Sequence, residues 1–247
     1  MSALLPWILT VVVLCAAWPW AAWLLARAPQ RTDAALTLCL TLALSTGTLT
    51  QVMLWQSALG VPFDLWGITL PYLALMLPGW VMWRRARLPL PRLTRPQGAL
   101  AWTALAVCAL VSAAVLFNAV YWPFFRDDAL GIYNRFGVWM YDYRTIAPLV
   151  SAATPYETYP VLMPLTYTYA YLASGWQNEY LARLFPALLS LGCLPAAYAL
   201  GRVLDRPAAG WLAALLLALA PAFARWSSAG YVDLPMDFLN KLTAIFA

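Results

Sequence analysis

Six long apolar stretches divide the chain: Leu4–Ala26, Ala34–Gly60, Trp66–Trp83, Leu100–Trp122, Leu184–Leu204 and Ala208–Ala224. Each reaches the ~17–25 residues that a helix needs to cross ~30 Å of hydrocarbon. Trp7, Trp55, Trp66, Trp83, Trp122 and Trp226 sit near the ends of these stretches, where an amphipathic ring favours the membrane interface. The pattern predicts an all-α, polytopic helical membrane protein. Two segments between the fourth and fifth stretches do not fit a simple span. Over residues 129–141, Leu130, Tyr133, Phe136, Gly137 and Met140 recur at spacings of three and four. That spacing predicts an amphipathic helix lying along the membrane surface. Val161–Gly175 is apolar but only fifteen residues long, with Pro164 and three Tyr inside it. It reads as re-entrant or shallow, or as a short tilted crossing.

Composition agrees with the pattern. Hydrophobic residues make up 64% of the 247 and charged residues only 10%, against about 45–50% apolar in an ordinary soluble domain. The few basic residues orient the chain. Arg27 and Arg31 follow the first stretch, Arg84, Arg85, Arg87, Arg92 and Arg95 the third, and Arg202 and Arg206 the fifth. Placing these loops in the cytoplasm satisfies the positive-inside rule and puts the N-terminus outside a cell membrane. The start of the chain also lacks the positive n-region of a signal peptide. Asp64, Asp127, Asp128, Asp142, Glu157, Glu179 and Asp233 then gather on the outer side. A re-entrant Val161–Gly175 preserves this arrangement, whereas a crossing would move Arg183 inside and Arg202 and Arg206 outside. The net charge of +5 therefore reflects cytoplasmic anchoring, and no nucleic-acid partner is expected.

The absence of His excludes His-ligated haem and His-based acid–base catalysis. Without His or a CxxC pair, structural zinc is excluded as well. Cys15, Cys39, Cys108 and Cys193 fall in separate apolar stretches and read as small core hydrophobes. Chemistry is expected at Arg126-Asp127-Asp128, directly after the fourth stretch, because charge beside hydrocarbon must be hydrated, paired or bound. Adjacent, partly desolvated carboxylates raise each other's pKa, so one can serve as a base while the other holds a cation. Glu157 lies with Tyr156 in a loop bracketed by Pro155 and Pro160, and Asp233 precedes Leu234-Pro235 as a natural helix N-cap. Asp127, Glu157 and Asp233 at three helix mouths are candidates to share an oxygen-liking divalent cation such as Mg²⁺ or Mn²⁺. Arg183 and Arg225 read as interface anchors or as phosphate-binding forks. Ser45–Gln51, rich in hydroxyl and amide groups, reads as interhelical hydrogen bonding.

The ordered set from residue 100 onward resembles the N-terminal module of the GT-C membrane glycosyltransferases. It comprises a span, an outer acidic pair, a surface helix, the Pro155-Tyr-Glu-Thr-Tyr-Pro160 loop, Glu179-Tyr-Leu-Ala-Arg-Leu-Phe-Pro186, a span ending in Gly201-Arg202, and Gly230-Tyr-Val-Asp-Leu-Pro235. Protein O-mannosyltransferases and aminoarabinose lipid A transferases are the most similar branches. The resemblance divides the chain into a block of three spans over 1–97 and a GT-C-like part over 98–247. It implies a polyprenyl-phosphate sugar donor, an acceptor hydroxyl on a lipid, glycan or protein, and Asp127 as general base, with Asp128 beside it. It assigns Glu157 and Asp233 to a metal and donor site. Thr158 and Leu130 stand where the family carries basic residues, so Arg126 or Arg135 is expected to contact phosphate, with Tyr156, Arg183 and Arg225 as further substrate contacts. Family members continue through further spans, and the chain is expected to be an N-terminal fragment. The alternative class is a transporter or flippase-like protein, for which Asp237 and Lys241, four apart in the last apolar run, are the features to examine.

Overall fold

The computed structural model describes residues 4–27, 33–88, 90–91, 95–147, 159–204 and 206–246. All regular structure among these residues is helical. The chain forms α1 Leu5–Cys15, α2 Trp18–Leu25, α3 Ala34–Ala58, α4 Leu65–Arg85 and α5 Gly98–Tyr121. A π-helix, Ala129–Asn134, then leads into α6 Arg135–Tyr143. The remaining helices are α7 Leu162–Ser174, α8 Glu179–Ala182, α9 Leu184–Leu191, α10 Cys193–Val203, α11 Pro207–Leu219, α12 Pro221–Ser227 and α13 Asp233–Phe246. Local chemistry sets several starts. Asp33 Oδ1 accepts the Leu36 amide at 2.8 Å, and Asp64 Oδ2 accepts those of Trp66 and Gly67 at 3.0 and 2.9 Å, which satisfies amides that a first turn leaves unpaired. Pro6, Pro19, Pro207 and Pro221 begin helices where a missing N–H costs nothing.

Five helical segments are long and apolar enough to cross a bilayer: Leu5–Leu25, Ala34–Ala58, Leu65–Arg85, Gly98–Tyr121 and Glu179–Val203. They correspond to five of the six long stretches and fit a multi-pass membrane protein. The sixth differs from expectation. Ala208–Ala224 is not one straight span, because α11 and α12 meet at Ala220-Pro221 with a bend of 70°. Proline cannot donate the amide that would continue α11.

Contacts sort the loops to two ends of the bundle. At one end the Phe63 amide donates to Arg144 O at 2.7 Å, Ser57 Oγ lies 3.0 Å from Thr145 Oγ1, and Phe124 N bonds Glu179. At the other end Arg202 Nε lies 3.9 Å from Asp33 Oδ2. The acid-bearing loops thus group away from the Arg202 end. Helices of both halves of the chain share one core, with α3 packed on α10 and α1 on α7. The Ser45–Gln51 segment mostly bonds within its own helix: Thr46 and Thr50 return hydroxyls to carbonyls three and four residues back. Ser45 reaches another element, accepting the Ala17 amide at 3.4 Å. Of the cysteines, Cys39 and Cys193 are buried, whereas Cys15 is exposed on the outside of the bundle.

Two features build the acid-bearing end. The short apolar segment is α7, 13 residues and so ~20 Å long, below the ~30 Å of a crossing. It is enclosed on all sides, every residue from Met163 to Ala173 being buried. The predicted surface helix is present, but its buried face is displaced. Ala129, Ile132, Tyr133, Asn134, Phe136, Gly137 and Met140 face inward, while Leu130 is 45% exposed. The π-turn advances fewer degrees per residue than an α-helix, which rotates Leu130 off the face and brings Asn134 onto it. Gly137 permits close approach to α7, since a Cβ there would lie 2.9 Å from that of Tyr167.

The α10–α11 hairpin packs backbone to backbone through Gly201 and Gly210, where an added Cβ on Gly210 would lie 2.6 Å from Tyr198 O. Small residues allow this approach between apolar helices. Gly210→Ala must push the helices apart and is expected to cost about 1–3 kcal/mol, read as a lower thermal unfolding midpoint in detergent. Gly47→Ala, with open space around its Cβ, should show no such loss.

Candidate functional site

Asp127 and Asp128 open the first helical turn after the break that follows α5, and both carboxylates are exposed. Among the described residues neither is ion-paired to Arg126, whose guanidinium lies 5.1 Å above the Phe125 ring. One turn further on, Tyr133 is buried with its ring 5.9 Å from that of Tyr159. Burial, then Asp233, Tyr159, Asp128 and Tyr231 in falling order, push the Tyr133 phenol up to about 12. Tyr133 is therefore the point where the acid-pair helix and the start of α13 come within electrostatic reach. Tyr231 meets Trp226 edge-to-face with ring centroids 4.8 Å apart, and Arg225 lies 5.3 Å over the same indole. The arrangement is a carboxylate-flanked aromatic surface, suited to a ligand with hydroxyls and apolar faces.

Beneath this surface lies a polar layer. Glu179 Oε2 accepts the Phe124 amide at 2.9 Å and its Oε1 accepts Asn134 Nδ2 at 3.2 Å. Asn134 Oδ1 in turn accepts the Tyr171 hydroxyl. Arg183, 1% exposed, donates through Nη1 to Trp122 O and to Pro123 O, the latter at 2.9 Å, and through Nη2 to Ser228 O. The rings of Phe125 and Phe124 flank it at 5.4 and 6.0 Å. This guanidinium is committed to main-chain carbonyls and joins the end of α5 to the end of α12. Tyr167 completes the layer, donating to Gly230 O at 2.9 Å.

The structure brings together some of the expected site residues. Asp128 and Asp233 share the Tyr133 neighbourhood, with Arg225 close by on Trp226. Arg135 is exposed and stacks on Trp139 at 4.6 Å, on the face away from α7. Tyr156 and Glu157 lie outside the described residues. Among the described residues no three His, Cys, Asp or Glu side chains meet closely enough to hold a metal ion. Asp128 and Asp233 alone fall short of a divalent cation's usual ligand set. The sequence reading placed Tyr133 on one face of the surface helix and Glu179 among the outer acids, but assigned no site role to Tyr133, Asn134, Tyr171 or Glu179. Glu179 and Arg183 carried one misleading signal: at i and i+4 they suggest a helix ion pair, yet both bond the 122–124 segment, Glu179 reaching on to Asn134 and Arg183 to Ser228. Comparison with known protein families, curated proteins and solved structures returned no match.

Two outcomes follow from this geometry. Arg183→Met would leave buried carbonyls without a donor, at about 1–3 kcal/mol each, so a loss of ~3 kcal/mol or more in unfolding free energy is expected. A side chain used only to bind substrate would leave folding intact. For Tyr133, the unfolded phenol ionises near ~10 and the folded one near about 12. Between these values the unfolded state has shed a proton that the folded state keeps, so stability falls as pH rises. The stability difference between wild type and Tyr133→Phe should be constant below pH ~10 and decline as pH rises through about 12. Denaturant titrations at several pH values would measure this.

Proposed function

We propose that the protein is a GT-C-type membrane glycosyltransferase module that moves a sugar from a polyprenyl-phosphate donor to an acceptor hydroxyl at the outer face of a cell membrane. The observation that supports it is Tyr133, packed against Tyr159 and within electrostatic reach of Asp128, Asp233 and Tyr231, at the end of the bundle opposite the Arg202–Asp33 contact and beside the exposed Asp127. Five helices long and apolar enough to span a bilayer support the choice of a lipid-linked donor. In this reading Asp127 removes the acceptor proton, the acceptor oxygen bonds the anomeric carbon, and the carbon–oxygen bond to phosphate breaks. Polyprenyl phosphate leaves with the bonding electrons. Asp128 orients the acceptor beside Asp127, while Arg126 and Arg225 face the phosphate and the sugar. Lipid, glycan and protein hydroxyls all suit the acceptor role. Glu157, Tyr156 and Asp233 complete the donor side, and no step is routed through a cation.

In the intact parent protein, Asp127→Asn should lower turnover with a polyprenyl-linked sugar by ~10²–10⁴ while donor affinity stays near wild type. Unchanged turnover would remove Asp127 from the base role, and a larger loss in Asp128→Asn would exchange the two assignments. For topology, a cysteine-free background carrying Gly60→Cys or Tyr143→Cys should label with an impermeant thiol reagent on intact cells. Leu90→Cys and Leu204→Cys should be protected; labelling at Leu204→Cys alone would mean that Val161–Gly175 crosses, and an exchange of the whole pattern would invert the proposed orientation.

A second reading, a transporter or flippase-like protein, draws on two observations. Lys241 Nζ and Asp237 Oδ2 form an ion pair on α13, at the level of Cys193 within a span-length segment. The broken α11–α12 pair adds the interrupted helix that such proteins use. Loss of substrate flux in Asp237→Asn with glycosyl transfer absent from wild type would favour it.

A further inference from the structure

The segment that carries Asp127 and Asp128 is held at both ends by a single carboxylate. Glu179 takes the Phe124 amide, three residues before Asp127, and the Asn134 side chain, which closes the π-helix. Between the two anchors the Leu130 amide closes the first turn on Arg126 O at 2.7 Å. Phe124 and Asn134 are buried, whereas Asp127 and Asp128 are exposed, so the anchors lie inside and the acids project outward. A π-turn is less favourable than α-helix and persists where surrounding contacts impose it. Here the imposing contact is a polar network whose members satisfy one another: Tyr171 to Asn134, Asn134 to Glu179, and the Phe124 amide to Glu179. Such a network fixes a single geometry because breaking any member leaves a buried polar group unpaired.

We propose that Glu179 is a positioning residue that, through Asn134 and the Phe124 amide, sets the direction of the Asp127 and Asp128 carboxylates. The functional half of this proposal rests on the transferase reading; the structural half does not. A base must meet the acceptor proton within hydrogen-bond distance, and a displacement of ~1 Å can cost about 10²-fold in rate.

The chemistry of the pair supplies a specific test. Asn134→Asp sets two carboxylates against each other. Adding Glu179→Gln restores every bond: the glutamine oxygen accepts Phe124 N–H, its amide donates to the new aspartate, and Tyr171 still donates to position 134. Hydrogen exchange on purified protein in lipid nanodiscs should show amides of 124–134 exchanging ~10-fold faster or more in Asn134→Asp and in Glu179→Leu. Amides of α3 and α10 should be unchanged, and the double variant should return to within ~3-fold of wild type. In turnover with a polyprenyl-linked sugar, kcat should fall ~10²-fold in the single variants at near-constant donor KM, and recover in the double. Should Glu179→Leu fail to fold, Asn134→Asp and the double variant decide. If wild type shows no transfer, the transferase reading fails, and exchange alone then judges the clamp. Unchanged exchange at 124–134, equal acceleration throughout the bundle, or no recovery in the double variant would overturn it.

Discussion

An entirely enclosed helix that carries hydroxyl groups governs this architecture. Within α7, Tyr167, Thr168, Tyr169 and Tyr171 have no access to water, so each hydroxyl must find a protein partner or cost free energy. They point in different directions around the helix and find partners on different elements. Tyr167 bonds Gly230 O, Thr168 bonds Gly137 O and Pro164 O, Tyr169 meets Thr69 Oγ1 at 3.0 Å, and Tyr171 reaches Asn134. The turn before α13, helix α6, helix α4 and the π-helix are thereby registered against one rod. Had α7 been lined with leucines, packing would still hold it, but nothing would specify these rotations.

The neighbouring polar layer extends that logic to the acid-bearing loops. Arg183 gathers the carbonyls at the ends of α5 and α12, and Glu179 gathers the two ends of the Asp127–Asp128 segment. Both groups sit on the first turns of one span-length segment, Glu179–Val203. A single helix mouth therefore organises three loops. The outward-facing Asp127 and Asp128 rest on this framework. That division matches how sites are built elsewhere: exposed groups free to meet a ligand, on a buried shell that fixes their direction.

Membrane-like packing sets the rest. Other helices meet through small residues, as at Gly201 and Gly210, or where an aromatic ring fills the space above a glycine. Phe238 lies over Gly192, and Trp20 over Gly79 with its indole donating to Leu75 O at 3.0 Å. Proline appears where helices bend or start. The 70° bend at Pro221 turns the chain back toward Arg183 and delivers Ser228, Gly230 and Asp233 to the same end as Asp127.

Length and apolarity alone made the span-length helices legible, because hydrocarbon thickness converts a run of some twenty residues into a prediction. The amphipathic segment after the acid pair was legible for the same kind of reason, since a three-and-four spacing implies one buried face. What spacing could not convey was its register: the π-turn expels Leu130 and buries Asn134, whose partners Glu179 and Tyr171 lie 45 and 37 residues away. The sequence also identified Asp128 and Asp233 as acids at helix mouths, but only the tertiary structure brought Tyr133 within electrostatic reach of both. It likewise turned Glu179 and Arg183 away from the ion pair that their four-residue spacing suggests. Local pattern reports how much of a segment must be buried. Which buried polar group answers which is a question of three-dimensional partners, and a linear sequence does not contain those distances.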